Sequence, residues 1–313
     1  MVRIFIRCLA WFVLCATAVH AQQPSPSSAS TPALKEATLP TGVRLHYVEQ
    51  GSGAPVIFVH GSLGDYTYWQ GEVGPFAEKY HAIAYSRRYN YPNDNPAVSN
   101  YSAVTDADDL ADLIKTLRLG KVNIIGHSYG ALTGLFLAAR HPEVVQAVVL
   151  AEAPAVSLLE HLSSDKAEAG RATFADIEAR MVKPMQREFR AGERDAGIAT
   201  FIAYVSNDPQ AWEKMSPASK KETLRDAHEW DVMMTKGDLF PPIAPEIIRK
   251  ISIPVLLMSG AKSFPFIHLI DEELAQLLPH NEHFIVPDAG HQMWIQAPEL
   301  CRQKAEQFLQ DGH

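Results

Sequence analysis

Gly126-His127-Ser128-Tyr129-Gly130 sets one serine between two glycines, directly after the apolar stretch Val122-Asn123-Ile124-Ile125 and directly before a helical pattern over 131–140. A strand that turns into a helix within so few residues leaves no room for side chains at the flanking positions. Glycine is required there, and the serine hydroxyl is held out at the C-terminal edge of the sheet. A serine so placed is a candidate nucleophile if an imidazole can take its proton and return it to a leaving group. The bland alternative is a glycine-rich turn whose serine only caps a helix. The chain has 13 histidines, so residue type alone selects none of them. His291 stands apart by its setting, after Phe284-Ile285-Val286 and the turn Pro287-Asp288-Ala289-Gly290, with a helix-like segment from Pro298 behind it. His280 and His283 have HxxH spacing, but they precede the last strand at the opposite sheet edge and have no evident third ligand. No metal site is expected from them.

The elements that must position these residues are legible as a rhythm. From residue 35 onward, short apolar or β-branched runs at 44–49, 55–59, 82–85, 122–125, 147–150, 255–258 and 283–286 alternate with longer helical patterns. From Pro55 on the runs are nearly continuously apolar, as expected of strands covered on both faces. Over 102–119, Val104, Ala107, Leu110, Ile114 and Leu117 fall at helical spacing. Thr105 and Asp108 offer a capping box there, and Gly120 offers a stop. This alternation predicts an α/β fold with a doubly wound, mostly parallel sheet. Between Ala153 and about Ile248 the rhythm stops, and helix-like segments at 157–168, 174–189, 198–205 and 220–234 follow one another with no strand. The expected organisation is a core of 35–153 and 249–313 with a helical cap inserted at 154–248.

With these elements around it, the Ser128 turn, together with His60-Gly61-Ser62-Leu63 after the run 55–59, resembles the α/β-hydrolase fold superfamily over about residues 35–310. The resemblance implies that Ser128 is the nucleophile and His291, in the loop after the last strand, its base. It also implies an oxyanion hole made by the backbone N–H of Tyr129 and one from the 60–63 loop, by position Ser62. Such donors are typically worth ~2.7–4 kcal/mol each in the transition state. His60 and His127 lie inside turns of this family and take structural roles.

The third member departs from the pattern. In this family the acid usually follows the next-to-last strand, where the chain reads Gly260-Ala261-Lys262-Ser263, and serine cannot replace a carboxylate. A minority of the superfamily, including some dehalogenases and lactone-cleaving enzymes, places the acid after the sixth strand. Glu152-Ala153-Pro154 matches that placement, 24 residues beyond Ser128. Asp271 and Asp288 stay open as alternatives, as does a merely structural Glu152 at the entrance to the insertion.

The insertion is rich in Phe, Trp and Met, which suits an adaptable apolar pocket, although most of these side chains must pack the cap onto the core. Leu63, Trp294 and Tyr129 are the candidate pocket residues. The reading these features favour is a serine hydrolase cleaving a small to medium apolar carboxylic ester or lactone through an acyl-serine intermediate, with no cofactor. Carbon–carbon bond hydrolysis, perhydrolysis or cofactor-free oxygenation would use the same residues, and a non-catalytic binding protein would leave the triad broken. Relatives with epoxide hydrolase or dehalogenase activity carry Asp where Ser128 stands, which sets them aside.

The formal net charge of −8, with no basic cluster beyond short pairs such as Arg87-Arg88, argues against a nucleic acid partner. Arg3 and Arg7, the apolar run 8–19 and Val19-His20-Ala21 read as a signal peptide over 1–21 cut after Ala21, followed by a disordered Pro/Ser-rich leader over 22–34. The run is too short to span a bilayer comfortably, so a secreted or periplasmic protein without a membrane anchor is expected. Two of the three cysteines leave with that peptide, and Cys301 alone can form no internal disulfide.

Overall fold

The computed structural model describes residues 32–163 and 165–311, so the expected signal peptide, its cut site and the leader up to Thr31 lie outside the described residues. Among the described residues eight strands form one sheet: β1 (Lys35–Thr38), β2 (Arg44–Gly51), β3 (Pro55–Val59), β4 (His81–Tyr85), β5 (Val122–His127), β6 (Val145–Ala151), β7 (Val255–Gly260) and β8 (Asn281–Val286). Their spatial order is β1-β2-β4-β3-β5-β6-β7-β8. The pairs β1–β2 and β2–β4 are antiparallel, and all others are parallel. This is the doubly wound, mostly parallel α/β sheet expected from the alternation.

Side-chain alternation along each strand feeds two separate cores. Ile57 and Val59 of β3, with Ile124, Val148, Leu150 and Leu257, pack under the helices Ala103–Thr116 and Tyr129–Arg140. Val56 and Phe58, with Ile125, Val149, Leu256 and Met258, pack under the helices Gln70–Phe76 and Pro298–Gln310. Cys301 belongs to this second core, where burial pushes its thiol up to about 12. Three details differ from the sequence reading. The edge strand β1 buries only Ala37, too little pattern to announce itself. The helix over 103–116 is capped by Ser102, whose hydroxyl accepts from Val104 N, rather than by Thr105 and Asp108. His283 lies inside β8, which starts at Asn281.

After β3 the chain moves outward to β4, then crosses back to place β5 on the other side of β3. The loops leaving β3 and β5 therefore diverge and open a crevice at the C-terminal sheet edge, the usual ligand position in such sheets. Between β6 and β7 the described residues form helices and no strand. The main ones are Ala167–Ile177, Lys183–Arg190, Arg194–Ser206, Pro217–Arg225 and His228–Lys236.

Candidate active site

Ser128 sits between β5 and the helix Tyr129–Arg140 with φ 54° and ψ −122°, a conformation L-residues rarely adopt. Backbone strain of this kind costs roughly 1–3 kcal/mol and survives only where the surroundings dictate it. The surroundings here are glycine and backbone. A Cβ on Gly130 would lie 2.1 Å from the Val59 carbonyl oxygen, and one on Gly126 would lie 2.5 Å from the Gly130 oxygen. Ser128 N donates to the Ala151 oxygen at 2.8 Å, tying the turn to the end of β6. Glu152 and Leu63 share the left-handed region, at φ 56° and 54°; Leu63 and Ser128 line one crevice, and Glu152 is hydrogen-bonded to His291, which lines it too.

His291 lies in the loop after β8, partly exposed, and its Nδ1 is hydrogen-bonded to Oε2 of Glu152. Glu152 follows β6 and is completely buried. Burial pushes its carboxyl up, but the hydrogen bond and charge of His291, the Ser263 hydroxyl and the Gly260 N–H outweigh this and hold it below the usual glutamate value. The Gly260 N–H donates to Oε1 at 2.7 Å and the Ser263 hydroxyl to Oε2 at 2.6 Å. An ionised carboxylate can only accept, so Nδ1 carries a proton, and in the neutral imidazole Nε2 keeps the lone pair that a general base needs.

The residue before the serine steadies the loop that carries His291. His127 Nε2–H donates to the His291 carbonyl at 2.7 Å, and its ring stacks on Tyr68 at 5.3 Å. Burial, reinforced by the neighbouring His291, lowers the His127 value to about 3, so no cation competes there for the carboxylate. His60 is likewise buried and neutral. Arg87 N–H donates to its Nε2 at 3.0 Å, so Nδ1–H donates to the Gly61 carbonyl at 2.8 Å.

The other acids lie elsewhere. Asp271 is buried and receives the Ser259 hydroxyl at 2.6 Å, while that same oxygen accepts from His283 Nε2 at 2.7 Å. Asp288 is exposed and pairs with Lys262 at 2.8 Å. Neither is hydrogen-bonded to His291. Among the described residues no cluster of three or more His, Cys, Asp or Glu is placed to hold a metal ion.

A cavity of about 490 Å³ opens in front of Ser128 and His291. Ser62, Leu63 and Tyr129 line it, along with Phe201 and Trp230 from the helices between β6 and β7, and among the described residues no Lys or Arg does. Trp294, expected at the rim, is buried against Trp69 with ring centres 5.1 Å apart and does not line the cavity. Helical spacing turns its indole into the second core, and Gln292 and Ile295 take the rim instead. The sequence reading also passed over Phe264 and Phe266, whose rings stack at 5.6 Å, the first of them against His291. Their signal was an aromatic pair just beyond the Gly260–Ser263 loop.

The chain matches the α/β hydrolase fold family over residues 54–298 and belongs to that family. Among curated relatives, 2-(acetamidomethylene)succinate hydrolase of Mesorhizobium japonicum is 26% identical, over 85% of this chain and 92% of its own. 2-Hydroxy-6-oxo-6-(2'-aminophenyl)hexa-2,4-dienoic acid hydrolase of Metapseudomonas resinovorans is 27% identical, over 86% and 88%. The crystal structure of the enol-lactonase from Burkholderia xenovorans superposes with a TM-score of 0.67 at 20% identity, covering 88% of this chain and 99% of that one.

Proposed function

We propose that the chain is a serine hydrolase that cleaves an uncharged, largely apolar carboxylic ester or lactone through an acyl-Ser128 intermediate. The observation that supports this reading is the buried Glu152 hydrogen-bonded to His291, which lines the same apolar cavity as Ser128. Nε2 of His291 takes the Ser128 proton as Oγ attacks the carbonyl carbon. The oxyanion forms beside the backbone N–H groups of Ser62 and Tyr129, the latter at the positive end of the helix Tyr129–Arg140. His291 then protonates the leaving oxygen. Water, activated by the same imidazole, releases the acid and restores Ser128. Glu152 stays ionised and stabilises the imidazolium while it lasts.

The cavity lining favours a neutral substrate. A succinate derivative carries two carboxylates, which need cationic partners when buried, and among the described residues no Lys or Arg lines this cavity. The substrate named for the Metapseudomonas relative has no ester bond, so its hydrolysis must break a carbon–carbon bond, and that chemistry is the second reading for this chain.

The test is a panel of p-nitrophenyl esters and lactones with the chain lacking residues 1–21. Neutral butyrate and hexanoate esters should be cleaved well, hemisuccinate esters at least tenfold more slowly, and Ser128→Ala should abolish both turnover and fluorophosphonate labelling. Turnover of a vinylogous diketone without ester turnover would replace this reading by the second. We also propose export, with Gln22 as the new N-terminus. Mass spectrometry of cytoplasmic and extracytoplasmic fractions tests this: a chain starting at Gln22 outside the cytoplasm is expected, and one that keeps Met1 and stays in the cytoplasm overturns it.

A further inference from the structure

Arg87, in the loop after β4, is completely buried, and its side chain reaches in three directions. Toward the loop after β3, Nε donates to the His60 carbonyl at 3.3 Å and Nη2 to the Gly61 carbonyl at 3.2 Å. On its outer side, Nη1 pairs with Asp106 of the helix Ala103–Thr116 at 2.8 Å and with Glu229 of the helix His228–Lys236 in the insertion. Its face lies 4.8 Å from the centre of the Tyr129 ring. One guanidinium thus touches both segments that carry the proposed oxyanion donors.

The Gly61 carbonyl and the Ser62 N–H belong to one peptide unit. Tyr91-Pro92 is the cis peptide among the described residues, so the Gly61–Ser62 unit is trans, and its C=O and N–H point in opposite directions. A carbonyl drawn toward buried Arg87, and held also by His60 Nδ1–H, turns the Ser62 N–H away from the protein interior. Ser62 itself lines the cavity. We propose that Arg87 is a positioning residue that sets the Ser62 peptide and the Tyr129 turn for binding an oxyanion, an inference that rests on the ester-hydrolase reading of Ser128. Two carboxylates face the single guanidinium, so the cluster brings no net positive charge to the site. Its contribution is geometric: a fork that spans two carbonyls and two carboxylates at once. A lysine ammonium keeps the charge but cannot span them.

The test compares Arg87→Lys with the unaltered chain in kcat and KM on p-nitrophenyl butyrate, in affinity for a phenylboronic acid, and in thermal unfolding. Boronates form a tetrahedral adduct with the serine and place an oxygen where the oxyanion develops. The expected result is a folded variant with kcat lower by about 10- to 100-fold, KM within twofold, and boronate affinity lowered in step with kcat. If Arg87→Lys does not fold, Arg87→Gln/Glu229→Gln, which removes one charge of each sign, is read in the same way. A folded variant with kcat and boronate affinity within twofold of the parent overturns the proposal, and so does misfolding of both variants, which is how a purely structural arginine behaves. An unaltered chain that cleaves no ester and takes no fluorophosphonate would instead refute the reading of Ser128.

Discussion

The Ser263 hydroxyl donates a 2.6 Å hydrogen bond to Oε2 of Glu152, the same oxygen that meets His291 Nδ1. The loop after β7, where an acid is usual in this family, therefore still serves a carboxylate, one that arrives from the neighbouring strand β6. Gly260 in the same loop offers its N–H to the other oxygen. Both oxygens of this fully buried carboxylate therefore accept hydrogen bonds, which favours its ionised form.

Replacing Glu152 by Gln keeps shape and burial but removes the acceptor that fixes the His291 tautomer. We expect kcat on p-nitrophenyl butyrate to fall by roughly 10³–10⁴ with KM little changed. Asp271→Asn, whose carboxyl is occupied by Ser259, should stay within a few-fold. Steady-state kinetics on the two variants check both statements, and the reverse pattern would discard Glu152.

Position 263 lies close enough to the Glu152 site to host an acid itself. In a Glu152→Gln background, Ser263→Asp should recover at least tenfold of the lost kcat, because a carboxylate there can reach toward His291 Nδ1. Failure to recover, with the double variant folded, would mean that the acid must approach from β6.

Backbone crowding at the serine turn gives a stability contrast. Gly130→Ala forces a Cβ to 2.1 Å from the Val59 oxygen and should destabilise the fold by ~3 kcal/mol or more. Gly71→Ala, exposed in the helix Gln70–Phe76 with no described atom beyond its chain neighbours within 4 Å of the added Cβ, should stabilise by ~0.5–1 kcal/mol. Urea denaturation of the two variants measures the difference.

Asp226 is buried and accepts from Tyr91 N at 2.8 Å. Burial, and then the charge of Asp65, raises its carboxyl from 3.8 to about 6. Between those values the folded protein holds a proton that the unfolded chain has released, so this group makes stability fall as pH rises through that window. Asp226→Asn keeps the acceptor for Tyr91 and loses the titration. The variant should gain on the parent from about pH 4 to about pH 6 and hold a constant advantage above, at most ~3 kcal/mol for a shift of about two units. Equal pH slopes in urea denaturation would show that Asp226 ionises as easily folded as unfolded.

The sequence by itself determined the sheet class, because continuous apolar runs alternating with helical periods allow little else. It also marked Ser128 and His291, whose signals are local: two glycines around a turn, and a loop after a last strand. Glu152 was readable only as a position after a strand, with Asp271 and Asp288 left beside it. The tertiary structure decided what local pattern cannot carry. It brought Glu152 to His291 across 139 residues and Arg87 to Glu229 across 142. It placed Ser128, Leu63 and Glu152 at positive φ, a strain that only packing against fixed neighbours can sustain. It turned Trp294 into the core while Ile295, its neighbour, faces the cavity. The physical reason is common to all of these. Periodicity records which side of an element is buried, whereas which groups meet across the crevice depends on sheet order and loop paths that no single segment encodes.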